Sequence, residues 1–344
     1  MRIGILTGGG DCPGLNSVIR ALVLTGEKRH GYQFLGFRDG WKGPVDNLTM
    51  PLDGDTVRGQ YDRGGTMLGT SRTNPLKDPA LIDKIKANLI ANKVDVLVVM
   101  GGDDTLGVAT KLGELGIKVI GVPKTIDNDL SATDTTFGFD TAVAIATEAV
   151  DRLHTTARSH HRVLVVEVMG RHAGWIALHT GIAGGADYTM LPEQDTDLSE
   201  LCGAVNREFG PGRKNYALVV VSEGAKLARM KEQTVQDDSQ DAFGHVKLGG
   251  IGSAVAKAIA QETGRETRSV VLGHTQRGGS PTAFDRVLST RYGVFAAEMI
   301  HQGRYGQMAA LQGGEIVAVP LASATEQTKT VGPEWLEVLK VLQA

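Results

Sequence analysis

Two adjacent carboxylates lie within a glycine-rich loop, GGDDTLG, at residues 101–107. Gly102 allows the backbone to approach a ligand closely, and the hydroxyl of Thr105 suits a loop that binds phosphate. Asp103 and Asp104 would repel phosphate, but a carboxylate is useful in such a site when it binds Mg²⁺, which joins it to phosphate oxygens. The segment therefore predicts a phosphate site with Asp103 as the metal ligand; a solvated turn aspartate has the same local pattern.

A second acidic loop, PKTIDNDL, occupies residues 123–130 and follows an apolar run. The carboxylate of Asp127 or Asp129 can accept the proton of an attacking hydroxyl while Thr125 contacts a transferring phosphoryl group. Lys124 adds a positive charge that suits the charge developing on phosphate oxygens. The loop predicts phosphoryl transfer; the alternative is that both aspartates cap turns of the backbone.

A third loop, GGGDCPG at residues 8–14, contains Gly10 and precedes a predicted helix. Backbone N–H groups at a helix N-terminus bind phosphate, although an ordinary tight turn uses the same residue types. Pro13 stands where a dinucleotide-binding fingerprint requires its third glycine, and the sequence contains no GxxxxGK[ST] motif. The pattern therefore favours an anion site of neither the dinucleotide nor the P-loop type.

Several basic residues stand where apolar runs begin or end. Arg171, His274 and Arg277 follow such runs, whereas Arg162 and Arg268 begin two of them. Arginine is the usual residue for bidentate recognition of phosphate, and the common alternative for a single arginine is a surface salt bridge. Together with the acidic loops, these residues predict phosphoryl transfer between two phosphorylated partners.

Short apolar runs and helix-like segments must position these loops. They alternate along the chain, which is typical of βαβ units in a parallel sheet with helices on both faces. In such a fold ligands bind at the carboxyl ends of the strands, where the polar loops stand. We therefore predict an α/β fold with buried strands at 3–6, 94–100, 118–122, 163–168, 217–221 and 269–272. Helices are predicted at 15–27, 80–92, 105–115, 140–158, 251–263 and 283–302.

The composition of the 344-residue chain is that of an ordinary globular protein with one large or two moderate domains. A net charge of −3 gives no reason to expect nucleic-acid or membrane partners. The apolar stretch at the N-terminus is too short for a signal peptide or a membrane span. Cys12 and Cys202 have no metal-binding spacing, and a reducing cytoplasm is the predicted location.

The motifs resemble those of the 6-phosphofructokinase family over nearly the whole chain, from residue 2 to about residue 291. The most specific set is TIDND at 125–129, followed by MGRHAG at 169–174 and HTQRGGSP at 274–281. The resemblance implies two similar lobes, each a mostly parallel sheet flanked by helices, with the active site in the cleft between them.

The same resemblance implies where the lobes divide. A donor-binding lobe is expected at residues 1–138 plus about 276–326, and a sugar-phosphate-binding lobe at about 139–275. A C-terminal helix at 327–344 is expected to pack on the body of the molecule.

The resemblance also implies roles for individual residues. Asp127 is similar to the general base that deprotonates the 1-hydroxyl of fructose 6-phosphate, and Asp103 to the residue that organises Mg²⁺. Thr125 and Arg171 match residues at the transferring phosphate, and Arg72 an arginine that bridges the donor phosphates to the sugar side. The implied donor-binding residues are Gly10, Arg72, Gly102, Asp104, Thr105 and Lys124. The implied sugar-phosphate ligands are Thr125, Asp127, Asp129, Arg162, Met169, Gly170, Arg171, Glu223, Arg268, His274 and Arg277.

In this family, residues such as Arg162 and Arg268 reach into the active site of a neighbouring subunit. The resemblance therefore implies a homodimer or homotetramer whose active sites are shared between subunits.

Two positions depart from the pattern of ATP-dependent members. Those members usually have glycine where this chain has Asp104, and often glycine where it has Lys124. The side chain of Asp104 would fill the volume that the α-phosphate and ribose of ATP need, and it would repel that phosphate. Lys124 supplies a point charge for a short, highly charged donor. The resemblance therefore implies the pyrophosphate-dependent type, with fructose 6-phosphate and pyrophosphate as substrates.

Two further departures concern nucleotides. Trp41 stands where ATP-dependent members often carry a tyrosine near the adenine. Of the arginines that form the bacterial effector site, Arg20 is present but Leu24 stands where a second is expected, so the family's usual regulation is not implied. The alternatives to a pyrophosphate-dependent enzyme are an ATP-dependent member of the family, an NAD or lipid kinase with a GGDxT loop, and a non-catalytic sugar-phosphate-binding subunit.

Overall fold

The computed structural model describes residues 1–228, 235–240, 242–244 and 246–343 of the chain. Its strands are β1 (Arg2–Thr7), β2 (Gln33–Phe37), β3 (Thr49–Leu52), β4 (Val96–Gly101), β5 (Val119–Pro123), β6 (Val163–Val168), β7 (Tyr188–Met190), β8 (Ala217–Ser222), β9 (Val235–Gln240), β10 (Val246–Leu248), β11 (Thr267–Val271), β12 (Gln307–Gln312) and β13 (Glu315–Pro320). Its α-helices are α1 (Leu15–His30), α2 (Lys42–Asp46), α3 (Pro79–Ala91), α4 (Asp103–Glu114), α5 (Phe139–His160), α6 (Trp175–Ala183), α7 (Leu198–Arg207), α8 (Ile251–Thr263), α9 (Ala283–His301) and α10 (Pro333–Gln343). Short 3₁₀ helices are found at Pro75–Lys77, Gly273–Arg277 and Leu321–Ala324.

Two sheets organise the chain. The larger has the strand order β13-β12-β5-β4-β1-β2-β3 and is parallel except at its edges, where β3 and β13 run antiparallel to their neighbours. The smaller has the order β11-β6-β8-β7 and is parallel throughout. A separate antiparallel pair is formed by β9 and β10. The predicted α/β fold of mostly parallel sheets flanked by helices is confirmed.

The inner strands bury apolar side chains on both faces. In β1, Ile3 and Ile5 contribute to a central core and Leu6 to a second core. In β6, Val166 contributes to the same central core, whereas Val165 belongs to a third core. The central core therefore includes side chains of both sheets, together with those of α1, α5, α6 and α9. Helices α3 and α4 cover the other face of the larger sheet, and α7 and α8 that of the smaller sheet.

The six apolar runs form β1, β4, β5, β6, β8 and β11, and the six helix candidates form α1, α3, α4, α5, α8 and α9, all within about three residues of the predicted ends. The expectation that all six strands are buried is wrong for β11. This strand lies at an edge of the smaller sheet, and its residues from Arg268 to Val271 are partly or fully exposed. Sequence periodicity did not identify β2, β3, β7, β12, β13, α6 or α7, most of which are short or at sheet edges.

The larger sheet takes its strands from residues 2–123 and 307–320, and the smaller from residues 163–271. The division of the chain at residues 138 and 275 stays a prediction. Within the described ranges, no helix combines the length and the apolar character that crossing a membrane would require.

Helices α1 and α9 pack closely within the central core. A Cβ atom added at Gly293 of α9 would lie 2.5 Å from the carbonyl oxygen of Val18 and 2.7 Å from the Cβ atom of Ala21, both in α1. Real Cβ atoms do not make contacts this short, so only glycine fits between the two helices.

We expect Gly293→Ala to lower the free energy of unfolding by about 1–3 kcal/mol, because the added methyl group overpacks the α1–α9 contact. The matched control is Gly203→Ala in α7, where an added Cβ would meet no atom within 4 Å. That substitution should be neutral or stabilising by up to about 1 kcal/mol, since alanine favours helix. Urea unfolding of both variants measures the difference, and a Gly293→Ala protein as stable as the parent would contradict the packing described here.

Candidate active site

Three neighbouring strands of the larger sheet, β1, β4 and β5, end in the three loops that the sequence predicted to bind phosphate. The N–H of Gly8 donates to the carbonyl of Met100 at 2.9 Å, and the N–H of Lys124 donates to the carbonyl of Gly101 at 2.9 Å. These hydrogen bonds extend the parallel ladder beyond the strand ends. The loops therefore lie side by side at the carboxyl edge of the sheet.

A cleft of about 150 Å³ opens where these loops meet Arg171, which follows β6, and Arg277, at the end of the 3₁₀ helix after β11. Most of the predicted site residues line this cleft, namely Gly10, Arg72, Gly102, Asp103, Asp104, Thr105, Lys124, Thr125, Asp127, Asp129, Arg171 and Arg277. Gly9, His172 and Phe243 also line it and were not predicted. His172 was within reach of sequence reasoning because it adjoins Arg171, but no local signal pointed to Phe243.

Glycine is required in the loops after β1 and β4, where the backbone closely approaches neighbouring side chains. A Cβ atom at Gly10 would lie 1.7 Å from Nη1 of Arg277, so the guanidinium group contacts the bare backbone of the loop at residues 8–14. A Cβ atom at Gly101 would lie 2.3 Å from that of Thr105, whose side chain also packs within 2.6 Å of a Cβ placed at Gly8. The glycines thus bring the backbone of both loops to the wall of the cleft.

The acidic loop directs its two aspartates into the cleft. Asn128, between them, has a left-handed backbone with φ of 53° and is buried, and its Oδ1 accepts a hydrogen bond from the N–H of Thr136 at 3.1 Å. Asp127 and Asp129 line the cleft instead, and Oδ1 of Asp127 is buried with no hydrogen-bond partner in the part of the chain that the structure describes. The turn-capping alternative therefore fails for this oxygen of Asp127, which is available to a ligand.

Burial and mutual repulsion favour the protonated forms of the cleft carboxylates. Burial raises the pKa of Asp127, and Asp103 raises it further, although nearby cations oppose both effects. Burial, then Asp127 and Asp103, raise the pKa of Asp129 to about 7. Burial followed by the charge of Asp127 likewise raises the pKa of Glu223 to about 7. These acids therefore share one electrostatic site, which a cation would stabilise in its ionised form.

Three cations lie near these acids. Arg277, Lys124 and Arg171, in that order, lower the pKa of Asp127. The side chain of Lys124 is 3% exposed, and its burial lowers its own pKa, as does the charge of Arg277. A buried ammonium group beside two guanidinium groups gives the cleft a positive side suited to phosphate.

The donor set of the cleft fits Mg²⁺. Asp103 is exposed at the first turn of α4, and its Oδ1 accepts the N–H of Asp104 at 2.8 Å, which leaves Oδ2 for a ligand. Mg²⁺ is usually held by one or two carboxylates together with substrate phosphates and water, so it does not need a closed cage of protein ligands. Consistent with this, the described residues contain no cluster of three or more His, Cys, Asp or Glu that would hold a metal unaided.

The loop after β6 forms the opposite wall of the cleft. Gly170 has φ of 132°, and its carbonyl accepts hydrogen bonds from Oγ of Ser222 at 2.6 Å and from the N–H of Gly224 at 3.2 Å. The N–H of Met169, which is buried, donates to Oε1 of Gln276 at 3.4 Å. The loops after β6, β8 and β11 are thereby joined, with Met169, Gly170 and Glu223 beside the cleft rather than lining it.

Arg162 and Arg268 lie at the other end of the smaller sheet. They adjoin the amino ends of β6 and β11, and both pair with Oε1 of Glu266 at 3.0 Å. Six residues of β6 separate Arg162 from the loop of Arg171, a distance of roughly 20 Å. The structure therefore does not bring these two arginines into the cleft of their own chain. His274 is exposed on the 3₁₀ helix and does not line the cleft.

Two residues near these loops are packing residues. Trp41 is 1% exposed and belongs to the core formed with α3 and α4, so it offers no stacking surface to an adenine. Cys12 is fully buried, and its burial raises the pKa of the thiol, so it acts as a small packed side chain.

Comparisons with known proteins agree with this arrangement. The family model described as Phosphofructokinase matches residues 2–300. A Streptomyces coelicolor protein named pyrophosphate–fructose 6-phosphate 1-phosphotransferase is 58% identical over 343 residues, 99% of this chain and 99% of that protein. A Mycobacterium leprae protein named ATP-dependent 6-phosphofructokinase is 51% identical over 96% of each chain. Phosphofructokinase from Pichia pastoris in the T-state has a TM-score of 0.83 at 30% identity, covering 99% of this chain and 36% of that longer one.

The raised pKa of Asp129 predicts a pH-dependent gain in stability for Asp129→Asn. The folded protein holds this proton up to a pH of about 7, whereas the unfolded chain releases it near 3.8. The contribution of this group to stability is therefore greatest at low pH and is lost as pH rises through 7. An asparagine cannot ionise, so the variant should exceed the parent in stability by on the order of 2–4 kcal/mol above pH 7.

Urea unfolding at pH 5, 6.5 and 8 measures this gain, which should grow with pH. The control is Asp151→Asn, at an exposed position on α5, where no pH-dependent gain is expected. A gain for Asp129→Asn that is constant across this range, or absent, would mean that Asp129 is not held protonated by the cleft.

Proposed function

The chain belongs to the phosphofructokinase family, and we propose that it transfers a phosphoryl group from inorganic pyrophosphate to the 1-hydroxyl of fructose 6-phosphate. The products are fructose 1,6-bisphosphate and phosphate. The observation that carries the proposal is the donor cleft, where Asp104 and the buried Lys124 stand together at its wall. The full-length similarity to the Streptomyces coelicolor phosphotransferase supports the same donor.

The size and charge of the cleft favour a short donor. Its volume of about 150 Å³ is half of the roughly 300 Å³ at which sites for drug-sized ligands begin. The carboxylate of Asp104, in the first turn of α4, repels any phosphate placed beyond the first two. Lys124 is buried where its charge needs an anionic partner, and pyrophosphate supplies that charge without a nucleoside.

Asp127 serves as the general base. Its buried Oδ1 has no hydrogen-bond partner among the described residues and is free to accept the hydrogen of the sugar 1-hydroxyl. Burial and the charge of Asp103 raise its pKa, which makes its carboxylate a stronger base than an aspartate in water. The proton moves from the hydroxyl to Asp127 as the sugar oxygen attacks the transferred phosphorus, and the bond to the leaving phosphate breaks.

Other residues of the cleft hold the donor and stabilise the transferring group. Thr125, Lys124 and Arg171 contact its oxygens, and the backbone of Gly10 and Gly102 with the hydroxyl of Thr105 binds the leaving phosphate. Asp103 would hold Mg²⁺, which neutralises donor charge when it is bound. Arg72 bridges the donor to the sugar phosphate.

The sugar phosphate lies between Asp129 of the acidic loop and the opposite wall, and its further proposed ligands are Arg277, Met169, Gly170, Glu223 and His274. Arg162 and Arg268 bind its phosphate in the active site of a neighbouring subunit. That assignment is supported by their position: they lie roughly 20 Å from the loop of Arg171 in their own chain, and among the described residues both form their salt bridge with Glu266. The enzyme is therefore a homodimer or homotetramer with shared sites.

The proposal extends to cellular context. Pyrophosphate and fructose 1,6-bisphosphate are close in phosphoryl-transfer potential, so the reaction is reversible and serves glycolysis or gluconeogenesis. Its substrates are small cytoplasmic metabolites, and we place the enzyme in the cytoplasm.

An ATP-dependent phosphofructokinase is the second candidate, and the similarity to the Mycobacterium leprae protein favours it. The family match leaves the NAD or lipid kinase alternative without support. A non-catalytic subunit is disfavoured because Asp103, Thr125, Asp127 and Arg171 are all present in one cleft.

A coupled assay with fructose 6-phosphate and Mg²⁺ separates the pyrophosphate-dependent from the ATP-dependent candidate. We expect a higher kcat/KM with pyrophosphate than with ATP, and the reverse order would overturn the proposed donor.

We expect the double substitution Asp104→Gly with Lys124→Gly to raise the ratio of kcat/KM for ATP to that for pyrophosphate by about 100-fold, since it removes both the occluding side chain and the fixed cation. Asp104→Asn is the matched control because it keeps the volume and removes the charge. If Asp104→Asn alone gives the full change, repulsion rather than volume excludes ATP. An unchanged ratio in the double variant would refute the assigned role of both residues.

Sharing of sites predicts complementation between two inactive variants. Asp127→Ser lacks the base, and Arg162→Ser lacks a ligand that acts in the neighbouring site, so each alone should lose at least about 100-fold in kcat/KM. Mixed subunits re-associated from both variants should regain about one quarter of the parental activity, because that fraction of shared sites contains both residues. Lack of recovery in verified mixed oligomers would show that Arg162 acts elsewhere.

A further inference from the structure

After β13, the chain returns to the acidic loop at residues 123–130. Thr328 pairs with Leu130 in an antiparallel bridge, and the N–H of Lys329 donates to the carbonyl of Asp129 at 2.8 Å. Residues 328–329 thus pair with the end of the loop that carries Asp127. This part of the chain lies beyond residue 300, where the match to the family model ends.

All three hydrogen-bond donors of the Lys329 ammonium group bind acceptors that follow β5, in residues 128–134. Its Nζ donates to Oδ1 of Asn128 at 3.0 Å, to the carbonyl of Thr133 at 2.8 Å and to the carbonyl of Asp134 at 2.9 Å. Three donors meet three acceptors, which is the full capacity of a lysine ammonium. Burial lowers the pKa of Lys329 to about 8, while Asp129 and then Asp134 oppose that effect, so the group remains a cation at neutral pH.

Asn128 is the residue through which this cation acts on the catalytic loop. Its side chain points away from the cleft and is held from one side by Thr136 and from the other by Lys329. Asp127 and Asp129 are its direct neighbours in sequence and line the cleft. Because Asn128 has a left-handed backbone conformation, its anchorage fixes the direction in which both neighbouring carboxylates project.

The same segment contacts the opposite wall of the cleft. The carbonyl of Lys329 accepts a hydrogen bond from Nε1 of Trp175 at 2.8 Å, and Trp175 begins α6 directly after the loop of Arg171. Oε1 of Glu193 accepts the N–H of Val331 at 3.0 Å and that of Gly174 at 2.8 Å. Lys329 and its neighbours therefore join the base-bearing loop to the loop that forms the other wall.

We propose that Lys329 is a positioning residue for phosphoryl transfer, one that fixes the loop of Asp127 and Asp129 relative to the wall that carries Arg171. The proposal rests on the proposed function, since it requires Asp127 to be the base. A role confined to anchoring the C-terminal helix is a weaker account. That helix is already held by the burial of Leu339 and by the packing of Trp335 on the central core, whereas the three side-chain hydrogen bonds of Lys329 all end in residues 128–134.

Lys329→Met tests this role, with Lys340→Met as the matched control. Methionine keeps most of the side-chain length and removes all three donors, whereas Lys340 is exposed and pairs with Glu337 on α10. For Lys329→Met we expect kcat to fall about 10- to 100-fold with KM for fructose 6-phosphate and pyrophosphate within about threefold of the parent, because small displacements of a base are costly to turnover. Lys329→Arg, which still donates to the carbonyls, should recover part of that loss.

Hydrogen exchange separates positioning from general destabilisation. Peptides covering residues 124–137 should lose amide protection in Lys329→Met, while peptides from β1, β4 and β6 keep it. If the methionine variant does not fold, the same measurements are made on Lys329→Gln, which removes the charge and shortens the side chain. A folded variant with kcat within threefold of the parent, or with protection lost equally throughout the chain, would overturn the proposal.

Measuring the parent protein in the same assay separates the test of the Lys329 role from the test of the proposed function. A parent without pyrophosphate-dependent turnover would contradict the function, and the Lys329 comparison would then use ATP as the donor. A parent that turns over pyrophosphate while Lys329→Met is unchanged would contradict only the role of Lys329.

Discussion

The repulsion among desolvated carboxylates at the strand ends constrains the whole cleft. Asp127, Asp129 and Glu223 are held where burial favours their protonated forms, and the charge of Asp127 raises the pKa of both Asp129 and Glu223 further. Lys124, Arg171 and Arg277 offset only part of this charge. This arrangement therefore lowers the stability of the free protein, and a cation with a phosphate-bearing ligand would compensate for it. Such a trade-off is expected of a catalytic site.

The fold exists to keep these charges together. Parallel strands β1, β4 and β5 bring three loops to one edge of the larger sheet, and bare glycine backbone lets Arg277 rest against the first of them. A central core built from side chains of both sheets supports the two walls of the cleft. Glycine in the loops allows this close approach, and the large apolar side chains of the core beneath the loops hold them in place.

Much of the site was predictable because its signals are local. A glycine loop after an apolar run marks a strand end, and TIDND and MGRHAG identify their family from a few adjacent residues. Contacts between distant segments leave no such signal. The pairing of residue 328 with residue 130 and the bonds of Lys329 to Asn128 join positions about two hundred residues apart, and β12 with the edge strand β13 depends on pairing rather than periodicity. The position of Arg162, far from Arg171, follows from strand direction, which only the fold defines.

The central claim is that the charged cleft is completed by Mg²⁺ together with a diphosphate and is closed to longer donors. The most direct measurement is the melting temperature of the free protein with a non-hydrolysable pyrophosphate analogue, with a non-hydrolysable ATP analogue, and with each of these plus Mg²⁺. A ligand that binds only the folded state raises this temperature by an amount that grows with the ratio of its concentration to its dissociation constant. The account predicts a marked rise with the pyrophosphate analogue and Mg²⁺ together and little with the ATP analogue; an equal or larger rise with the ATP analogue would contradict it.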